Sequence, residues 1–566
     1  MKNLNHGSPK KRVSPHRKFT RRELVKWGIV GGGTAMFGLR PAWVRASRSG
    51  SLSRAPVTTP FLMELLPGRG LAPVSQPVTP FPTMEDPGDC INEDHSQAFH
   101  VSGPREVPPN TEFHLIQVAP VSHLFHPALP ANVLWGYGGQ VPGPTFVARS
   151  GTPQLIRFVN QLPEDDAVGI GVPTLAVHRH GGHQAPQDDG YPLDTFCPGQ
   201  SRDYYYPNSP AAGLLQNEHS TTWYHDHAID VTSQNVYRGL SGCYLNFNPL
   251  DTGSELDPAP ALGLPSGEFD VPLVLQDRLF DANGFLYYDS FDHNGFLGNK
   301  FLVNGLIQPF LRVARRKYRF RILNGSNARF YNLVLSNGRP FTVIGTDSNL
   351  LERPIAVSSF PIGPGERVEV IVDFRGTTLG QKIQLVNRLE QTDGRKPGDL
   401  VSPGVPLMEF QVNRDAPDFS RVPDVLLPIT EGPRELLHQV KIQRTFKFGR
   451  SNGAWVINGE LFDENRIQAD PRRGTSEIWH FESGGGWTHP VHLHNFEMFI
   501  LGRDGARPPL LERGRKDIIN VGGPYPNASV LIKFDYDFSE QPGRYAFHCH
   551  TTEHEDMRMM GQFEVL

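Results

Sequence analysis

Cysteine is scarce in this chain of 566 residues, since only Cys90, Cys197, Cys243 and Cys549 are present. Four thiols are too few to stabilise a chain of this length by disulfides, which excludes a disulfide-stabilised scaffold. Cys90 and Cys197 are available for one disulfide, a pairing that the sequence leaves open. Cys243, in GLSGCYL, has the character of a small buried apolar residue. Cys549 differs because a histidine stands on each side of it.

Long apolar runs are also missing. The mostly apolar stretch from Trp27 to Leu39 is shorter than the roughly 20 residues that a membrane span needs, which argues against a stable span. It follows the twin arginines of TRRELVK within residues 1–46, a segment with eleven Lys and Arg and one acidic residue. This pattern predicts a Tat-type signal peptide and export by the Tat machinery to the periplasm or the cell exterior, with an uncleaved anchor as the alternative.

Basic charge is lacking outside that segment. The whole chain has a formal net charge of −4, so the part after the basic amino terminus is clearly acidic. Nucleic-acid affinity rests on Lys and Arg neutralising phosphates, and the charge therefore excludes nucleic acid as a partner.

Turn-forming residues are abundant, with 57 glycines and 51 prolines, as is typical of a β protein. Residues 47–110 are Pro-rich, which predicts a linker or wrapping arm. A Gly-containing turn followed about twenty residues later by an alternating strand then occurs three times, led by Gly139, Gly305 and Gly459. This spacing is too long for a solenoid and predicts an all-β protein of three homologous domains, with one large β domain as the alternative. The predicted domains span residues 110–250, 265–413 and 425–566.

Histidines are numerous, 22 in all, and eight of them stand in four His-x-His pairs. The pairs are His178/His180, His225/His227, His492/His494 and His548/His550. Alternate residues of a strand share a face, so each pair presents two imidazoles side by side. One such pair is a weak signal, but four, two in the first predicted domain and two in the third, predict a metal cluster.

The same alternation turns Cys549 away from His548 and His550, toward a different site. His489, His554 and Met559 are within reach of it in the sequence. Two imidazoles, a thiolate and a weak thioether form the ligand set of a blue copper centre, whereas zinc would not call for the methionine. The eight paired histidines suit three further ions, two ligands for one and three for each of the others. The sequence therefore predicts four copper ions.

The stretches HRHGGHQAPQDDGYP, WYHDHAIDVTSQNVYRGLSGCYL, YRFRILNGSNARFYNL and GRYAFHCHTTEHEDMRMM resemble the multicopper oxidases. The resemblance runs from about residue 110 to the C-terminus and is strongest to the bacterial three-domain laccase and bilirubin oxidase group of the spore-coat laccase type. It implies three cupredoxin-like domains, each a Greek-key β-barrel or sandwich. It also implies a trinuclear copper cluster between the first and third domains.

The resemblance further implies a role for each candidate ligand. A type 2 copper would be held by His178 and His492. A type 3 pair would be held by His180, His225, His227, His494, His548 and His550. A type 1 copper would be held by His489, Cys549, His554 and Met559.

Carboxylates are expected near the cluster because reducing dioxygen to water consumes protons. Asp189 and Glu555 occupy positions that match such acids in the family. Asp188 is a rival for Asp189, and Asp226 is expected to orient its histidine neighbours. His183 does not continue the alternation of His178 and His180, and His219 belongs to no His-x-His pair. We therefore leave both out of the predicted sites.

The predicted function is a monomeric laccase-like oxidase that takes single electrons from phenols, aryl amines or bilirubin-like pigments and reduces O2 to water. A Cu(I), Mn(II) or Fe(II) oxidase is the main alternative. A Met-rich insert would suggest a cuprous oxidase. The chain has only nine methionines, three of them within residues 557–560, and so lacks such an insert. A copper nitrite reductase fits less well, since that family's pattern lacks the second histidine after the cysteine. A non-catalytic copper-binding or coat protein would not explain a cysteine joined to two cluster histidines.

Overall fold

The computed structural model describes residues 55–66, 71–73, 107–164, 169–534 and 543–566. The predicted signal peptide over 1–46 and Cys90 lie outside these residues. Strands make up 45% and helices 7% of the structure, which confirms the all-β class. Among the described residues, no helix has the length and apolar character that crossing a membrane requires.

The first pair of sheets spans residues 112–247. Its strands are β1 (Glu112–His123), β2 (Asn132–Tyr137), β3 (Gly143–Arg149), β4 (Gln154–Asn160), β5 (Val177–His180), β6 (Ser201–Tyr206), β7 (Thr221–Asp226) and β8 (Ser241–Phe247). One sheet has the order β2-β1-β4-β6 and the other β3-β8-β7-β5. A short helix, α1 (Thr232–Tyr237), connects β7 to β8.

The second pair of sheets spans residues 270–414. Its strands are β9 (Asp270–Phe280), β10 (Leu286–Tyr287), β11 (Lys300–Val303), β12 (Leu306–Ile307), β13 (Phe310–Ala314), β14 (Lys317–Asn324), β15 (Tyr331–Leu335), β16 (Phe341–Thr346), β17 (Asn349–Val357), β18 (Phe360–Ile362), β19 (Arg367–Asp373), β20 (Lys382–Leu389) and β21 (Leu400–Arg414). One sheet has the order β12-β11-β9-β14-β19-β16-β17, with β10 also beside β9, and the other β13-β21-β20-β15-β18.

The third pair of sheets spans residues 440–565 and follows helix α2 (Pro433–Leu437). Its elements are β22 (Val440–Ser451), β23 (Ala454–Ile457), β24 (Thr475–Ser483), β25 (His489–Leu493), β26 (Met498–Arg503), β27 (Ile518–Val521), β28 (Ala528–Phe534), β29 (Gly543–Cys549), helix α3 (Thr552–Asp556) and β30 (Met560–Val565). The sheets have the orders β23-β22-β24-β28-β26 and β27-β25-β29-β30.

A common arrangement is repeated in the three sheet pairs. The opening strand of each lies parallel to a later one, as β1 with β4, β9 with β14 and β22 with β24. The lead glycines of the sequence repeat, Gly139, Gly305 and Gly459, all have a positive φ of 77° to 81°, a conformation that glycine adopts without strain. The sheet pairs fall within the predicted domain ranges except for Arg414, and the exact domain limits stay a prediction.

Each sheet pair encloses its own apolar core, because alternate strand residues point between the sheets. The third core contains Trp479, Phe481 and Phe547, and it also contains Cys549 and Met559. Glu64, within the predicted Pro-rich linker or arm, forms a bridge to Phe310 of β13 in the second sheet pair. Whether residues 47–110 act as a linker or as an arm stays a prediction.

Candidate metal centres

The eight paired histidines come together between the first and third sheet pairs. In the first, β5 and β7 are antiparallel neighbours and place His178 opposite His225. In the third, β25 and β29 place His492 opposite His548 in the same way. All eight imidazoles are buried. The strand alternation that predicted paired imidazoles thus brings four pairs to one place.

Backbone carbonyls determine the protonation of four of these rings. The Nδ1–H groups of His178 and His492 donate to the carbonyls of Asp189 and Asp517, at 2.5 and 2.9 Å. His225 and His548 donate to the carbonyls of Asp226 and Cys549, at 2.8 and 3.1 Å. A carbonyl oxygen only accepts, so Nδ1 carries the proton and each Nε2 presents a lone pair.

These lone pairs face one another. His178 Nε2 lies 3.4 Å from His492 Nε2, and His548 Nε2 lies 3.1 and 3.2 Å from those of His227 and His494. Burial, with the neighbouring imidazoles, lowers the pKa of His178, His492 and His548 well below its ordinary value, so the rings are neutral. The Nε2 lone pairs of His178 and His492 repel at 3.4 Å unless a cation lies between them, and the arrangement therefore fits a metal site.

A third group completes the cluster. The ligand atoms of His180, His225 and His550 lie within 4.8 Å of one another, as do those of His227, His494 and His548. His180 Nδ1, His225 Nε2 and both nitrogens of His550 are buried without a hydrogen-bond partner. The ligand atoms of His178, His180 and His492 also lie within 4.8 Å of one another, so the division of the eight histidines into two, three and three ligands stays a prediction.

Cys549 belongs to a separate site on the opposite face of β29. Its Sγ lies 3.5 Å from Nδ1 of both His489 and His554. Met559 is buried in the same core, and its carbonyl accepts a hydrogen bond from the Cys549 N–H at 3.1 Å. Burial raises the pKa of the Cys549 thiol to about 12, so a thiolate here requires a bound cation. The donor set of sulfur and two imidazoles fits copper.

The two predicted carboxyl groups both lie against the histidine cluster. Asp189 Oδ2 lies 2.7 Å from His494 Nδ1, and its Oδ1 accepts a hydrogen bond from Gln184 Nε2, also at 2.7 Å. Glu555 Oε1 lies 3.6 Å from His227 Nδ1, and burial raises the pKa of Glu555 well above its ordinary value.

The other two aspartates near the pairs have backbone partners. The rival Asp188 accepts a hydrogen bond from the Tyr205 N–H at 3.0 Å. Asp226 accepts from the Ala176 N–H and from Asn235 Nδ2, at 3.1 and 2.8 Å, which fixes the backbone between His225 and His227. Asp189 therefore contacts the cluster through its side chain, whereas the rival Asp188 has a backbone partner.

Sequence reasoning missed Asp517 and its partners. Asp517 Oδ1 accepts from His180 Nε2–H at 3.1 Å and from Arg367 Nη1 at 2.7 Å. Its Oδ2 accepts from Ser348 Oγ at 2.8 Å and also from Arg367 Nη2. These contacts direct His180 Nδ1 toward the cluster and connect the cluster to the second sheet pair. No local motif surrounds Asp517 in RKDII, so the sequence carried no signal for it.

Outside the cluster, Cys197 is disulfide-bonded. Its predicted partner Cys90 lies outside the described residues, so that pairing stays a prediction. Cys243 is a free, buried thiol, as expected from its apolar surroundings.

The fold and its sites are typical of a copper-containing oxidoreductase. The chain combines three β-sheet pairs with a site of one cysteine and two histidines, next to an eight-histidine cluster. Multicopper oxidase family models match residues 124–247, 288–381 and 435–566. The chain belongs to the multicopper oxidase family, whose laccase and bilirubin oxidase members are copper oxidoreductases that use O2.

Relatives and solved structures agree with this membership. The chain is 35% identical to a bilirubin oxidase of Albifimbria verrucaria, over 80% of this chain and 76% of that protein. It is 33% identical to a laccase of Bacillus subtilis (strain 168), over 78% of this chain and 92% of that protein. The crystal structure of a McoA multicopper oxidase variant from Aquifex aeolicus matches with a TM-score of 0.69 and 26% identity, covering 81% of this chain and 98% of that one. The cupredoxin-like fold of the domains is thereby confirmed.

Proposed function

We propose that this protein is an exported laccase-like oxidase that takes single electrons from phenolic, aryl-amine or bilirubin-like substrates and reduces O2 to water. The observation that carries the proposal is the tripeptide His548-Cys549-His550. Its cysteine lies in the core of the third sheet pair with His489 and His554, while both flanking histidines lie in the cluster. One backbone segment thus joins an electron-accepting site to the place where dioxygen would react.

The proposed reaction uses two copper-binding sites and two carboxyl groups. When bound, four copper ions would supply one-electron redox chemistry, one at Cys549 and three among the paired histidines. His489, Cys549, His554 and Met559 would hold the first. Asp189 contacts His494 and Glu555 lies 3.6 Å from His227, and we assign to both carboxyl groups the delivery of the protons that water formation consumes.

The surroundings of His554 favour an aromatic reductant. Trp455 lies 3.8 Å from the His554 ring, centroid to centroid, and Trp487 packs edge-on against Trp455 at 4.8 Å. The Arg450 guanidinium lies 4.6 Å from the Trp455 ring, and that of Arg395 lies 5.1 Å from the Trp487 ring. Trp455 and Trp487 are 1% and 9% exposed and so separate His554 from solvent, while the exposed Arg450 and Arg395 guanidinium groups beside them suit electron-rich or negatively charged aromatic molecules.

A metal-ion reductant is the second candidate. Burial, with the negative charges of Asp289 and Asp393, raises the pKa of Asp292, whose carboxylate accepts a hydrogen bond from the Asn294 N–H at 3.1 Å. Carboxylates are the ligands that Mn(II) and Fe(II) prefer. The neighbouring His293 carbonyl accepts a hydrogen bond from Trp455 Nε1 at 2.7 Å, so Asp292 offers such ions an approach on the His554 side of the protein.

The test is dioxygen uptake by the copper-loaded protein with 2,6-dimethoxyphenol, Cu(I) and Mn(II) at matched concentrations. We expect fast uptake with the phenol, unchanged in Asp292→Asn and abolished in Cys549→Ser. Preference for a metal ion, lost in Asp292→Asn, would favour the second candidate. No uptake with any of them, in protein that contains four coppers, would contradict the oxidase proposal.

Export and monomeric state belong to the same proposal and rest on the sequence. The Tat-type segment over residues 1–46 predicts transport by the Tat machinery to the periplasm or the cell exterior. Fractionation of cells expressing the full chain, with the Arg21→Lys/Arg22→Lys variant as control, tests the first part. Light scattering of the purified protein tests the second.

A further inference from the structure

Three side chains that the copper sites do not use meet beside the histidine cluster; His183 and His219 are buried, and the Glu497 side chain is 11% exposed. His183 follows the end of β5, His219 precedes β7 and Glu497 precedes β26. His183 Nε2 lies 3.0 Å from Glu497 Oε2, and His219 Nε2 lies 3.5 Å from Glu497 Oε1. The two ring centroids are 4.2 Å apart. Two imidazoles therefore approach one carboxylate, each at a different oxygen.

Hydrogen bonding alone leaves this group incomplete. His219 Nε2 and Glu497 Oε1 are buried without a hydrogen-bond partner, and their 3.5 Å separation exceeds the roughly 2.7–3.2 Å of a good N–H···O bond. His183 and His219 are only 4% and 7% exposed, so a partner for these atoms must be a bound ion or a water enclosed in the adjoining cavity. Buried polar atoms without partners are uncommon and call for an explanation such as a bound ion.

The spacing of these atoms matches a metal site. Metal–ligand bonds of 2.0–2.2 Å place neighbouring nitrogen and oxygen ligands roughly 2.9–3.6 Å apart in tetrahedral or octahedral geometry. The two observed separations, 3.0 and 3.5 Å, lie in this range. A cavity of about 30 Å³ lined by His183, Glu497 and Asn217 adjoins the group and has room for a water ligand.

The charged side chains around this group limit which kind of metal ion it can bind. Glu497 brings its two carboxylate oxygens to the two imidazoles, so the group contains one acidic ligand. Arg515 lines the same cavity and donates to Asn217 Oδ1 at 2.5 Å. Its positive charge opposes any cation. The site therefore suits an ion that gains strongly from imidazole ligands, such as Zn²⁺ or Cu²⁺, and not Mg²⁺ or Ca²⁺.

We propose that His183, His219 and Glu497 bind one divalent transition-metal ion in addition to the four coppers, with zinc as the ion to test. His183 comes three residues after His180, and Glu497 comes three residues after His494. An ion held by both would tie the ligand-bearing segments of the first and third sheet pairs together beside the cluster. The proposal does not depend on the identity of the reductant.

The experiment measures zinc and copper in the copper-loaded full chain after equilibrium dialysis against Zn²⁺. We expect one extra zinc per wild-type chain with the copper content unchanged, and its loss in Glu497→Gln and His219→Ala. His480→Ala, which removes a histidine of β24 whose partners Ser529 and Gln443 do not line the cavity, should retain the zinc. Thermal unfolding provides a second readout, because Zn²⁺ should raise the Tm of the wild type and His480→Ala and leave that of Glu497→Gln unchanged.

His183→Gln separates metal binding from hydrogen bonding. The glutamine amide reaches the position of His183 Nε2 and can still donate a hydrogen bond to Glu497, so a merely hydrogen-bonded group would tolerate the change, whereas zinc binding should weaken about tenfold or more. Retention of four coppers identifies variants that have folded correctly. Absence of the extra zinc from the wild type, or the same zinc content in the wild type and in folded Glu497→Gln and His183→Gln, would overturn the proposal.

Discussion

Replacing Asp517 by asparagine tests how the second sheet pair supports the histidine cluster. Both carboxylate oxygens of Asp517 act as acceptors, and the groups that face them, from His180, Arg367 and Ser348, are donors. Asparagine keeps the shape but turns one acceptor into an NH2 donor. In either orientation of the amide, a donor then faces a donor, and the Arg367 guanidinium loses its nearest negative charge.

The contacts give two separate magnitudes. Arg367 is fully buried, and its next carboxylate, Asp347 Oδ1, is 4.0 Å away. Breaking a buried ion pair costs about 3–5 kcal/mol, which lowers Tm by roughly 6–20 °C for domains of this size. Losing the partner that orients a metal-bound histidine lowers metal affinity or activity about 10–100-fold. The Cys549 site lies in a different core and should keep its copper.

The assay is a calorimetric Tm, the copper content and the phenol-driven dioxygen uptake of Asp517→Asn. Asp415→Asn is the matched control, because Asp415 pairs with Arg315 at the surface, where such a pair contributes about 0–1 kcal/mol. We expect the control to match the wild type in all three measurements. If Asp517→Asn retains all cluster copper and at least half of the uptake rate, the carboxylate does not orient His180 and the reasoning is refuted.

Three further predictions concern other residues. Glu555→Gln should lower dioxygen uptake about 10²–10⁴-fold, while anaerobic bleaching of the blue colour by phenol stays normal; slowed bleaching would contradict a role in proton delivery. Met559→Leu should keep the blue copper centre but raise its reduction potential, measured by redox titration, and an unchanged potential would mean that the thioether is not a ligand. Burial alone would raise the pKa of Glu369, but Arg319 and Arg321 lower it to about 2. The stability that Glu369 contributes is therefore present above its unfolded pKa of about 4.5 and lost as pH falls toward 2, so Glu369→Gln should lower Tm at pH 7 and converge with the wild type in acid; parallel Tm curves would disprove this.

Local sequence patterns were sufficient for much of the fold and the site. Alternating apolar residues and turn glycines predicted the all-β class, because a strand with one buried face has a period of two. The same period predicted that Cys549 and its flanking histidines serve different sites, as they do in the structure. Each of these features involves residues close together in the chain.

Such local patterns could not predict contacts between residues that are far apart in the sequence. Asp517 meets His180 across 337 positions of sequence, and Arg367 reaches it from the second sheet pair. His183 was set aside because it breaks the alternation, yet it meets Glu497 across 314 positions.

The sequence by itself determined which residue types face together along each strand, and hence that the chain has four imidazole pairs and a thiol turned away from them. Only the tertiary structure decided which pairs meet, which carboxylates support them, and that His183, His219 and Glu497 come together. The physical reason is that backbone geometry sets the direction of neighbouring side chains, whereas the packing of whole sheets sets the distances between remote ones.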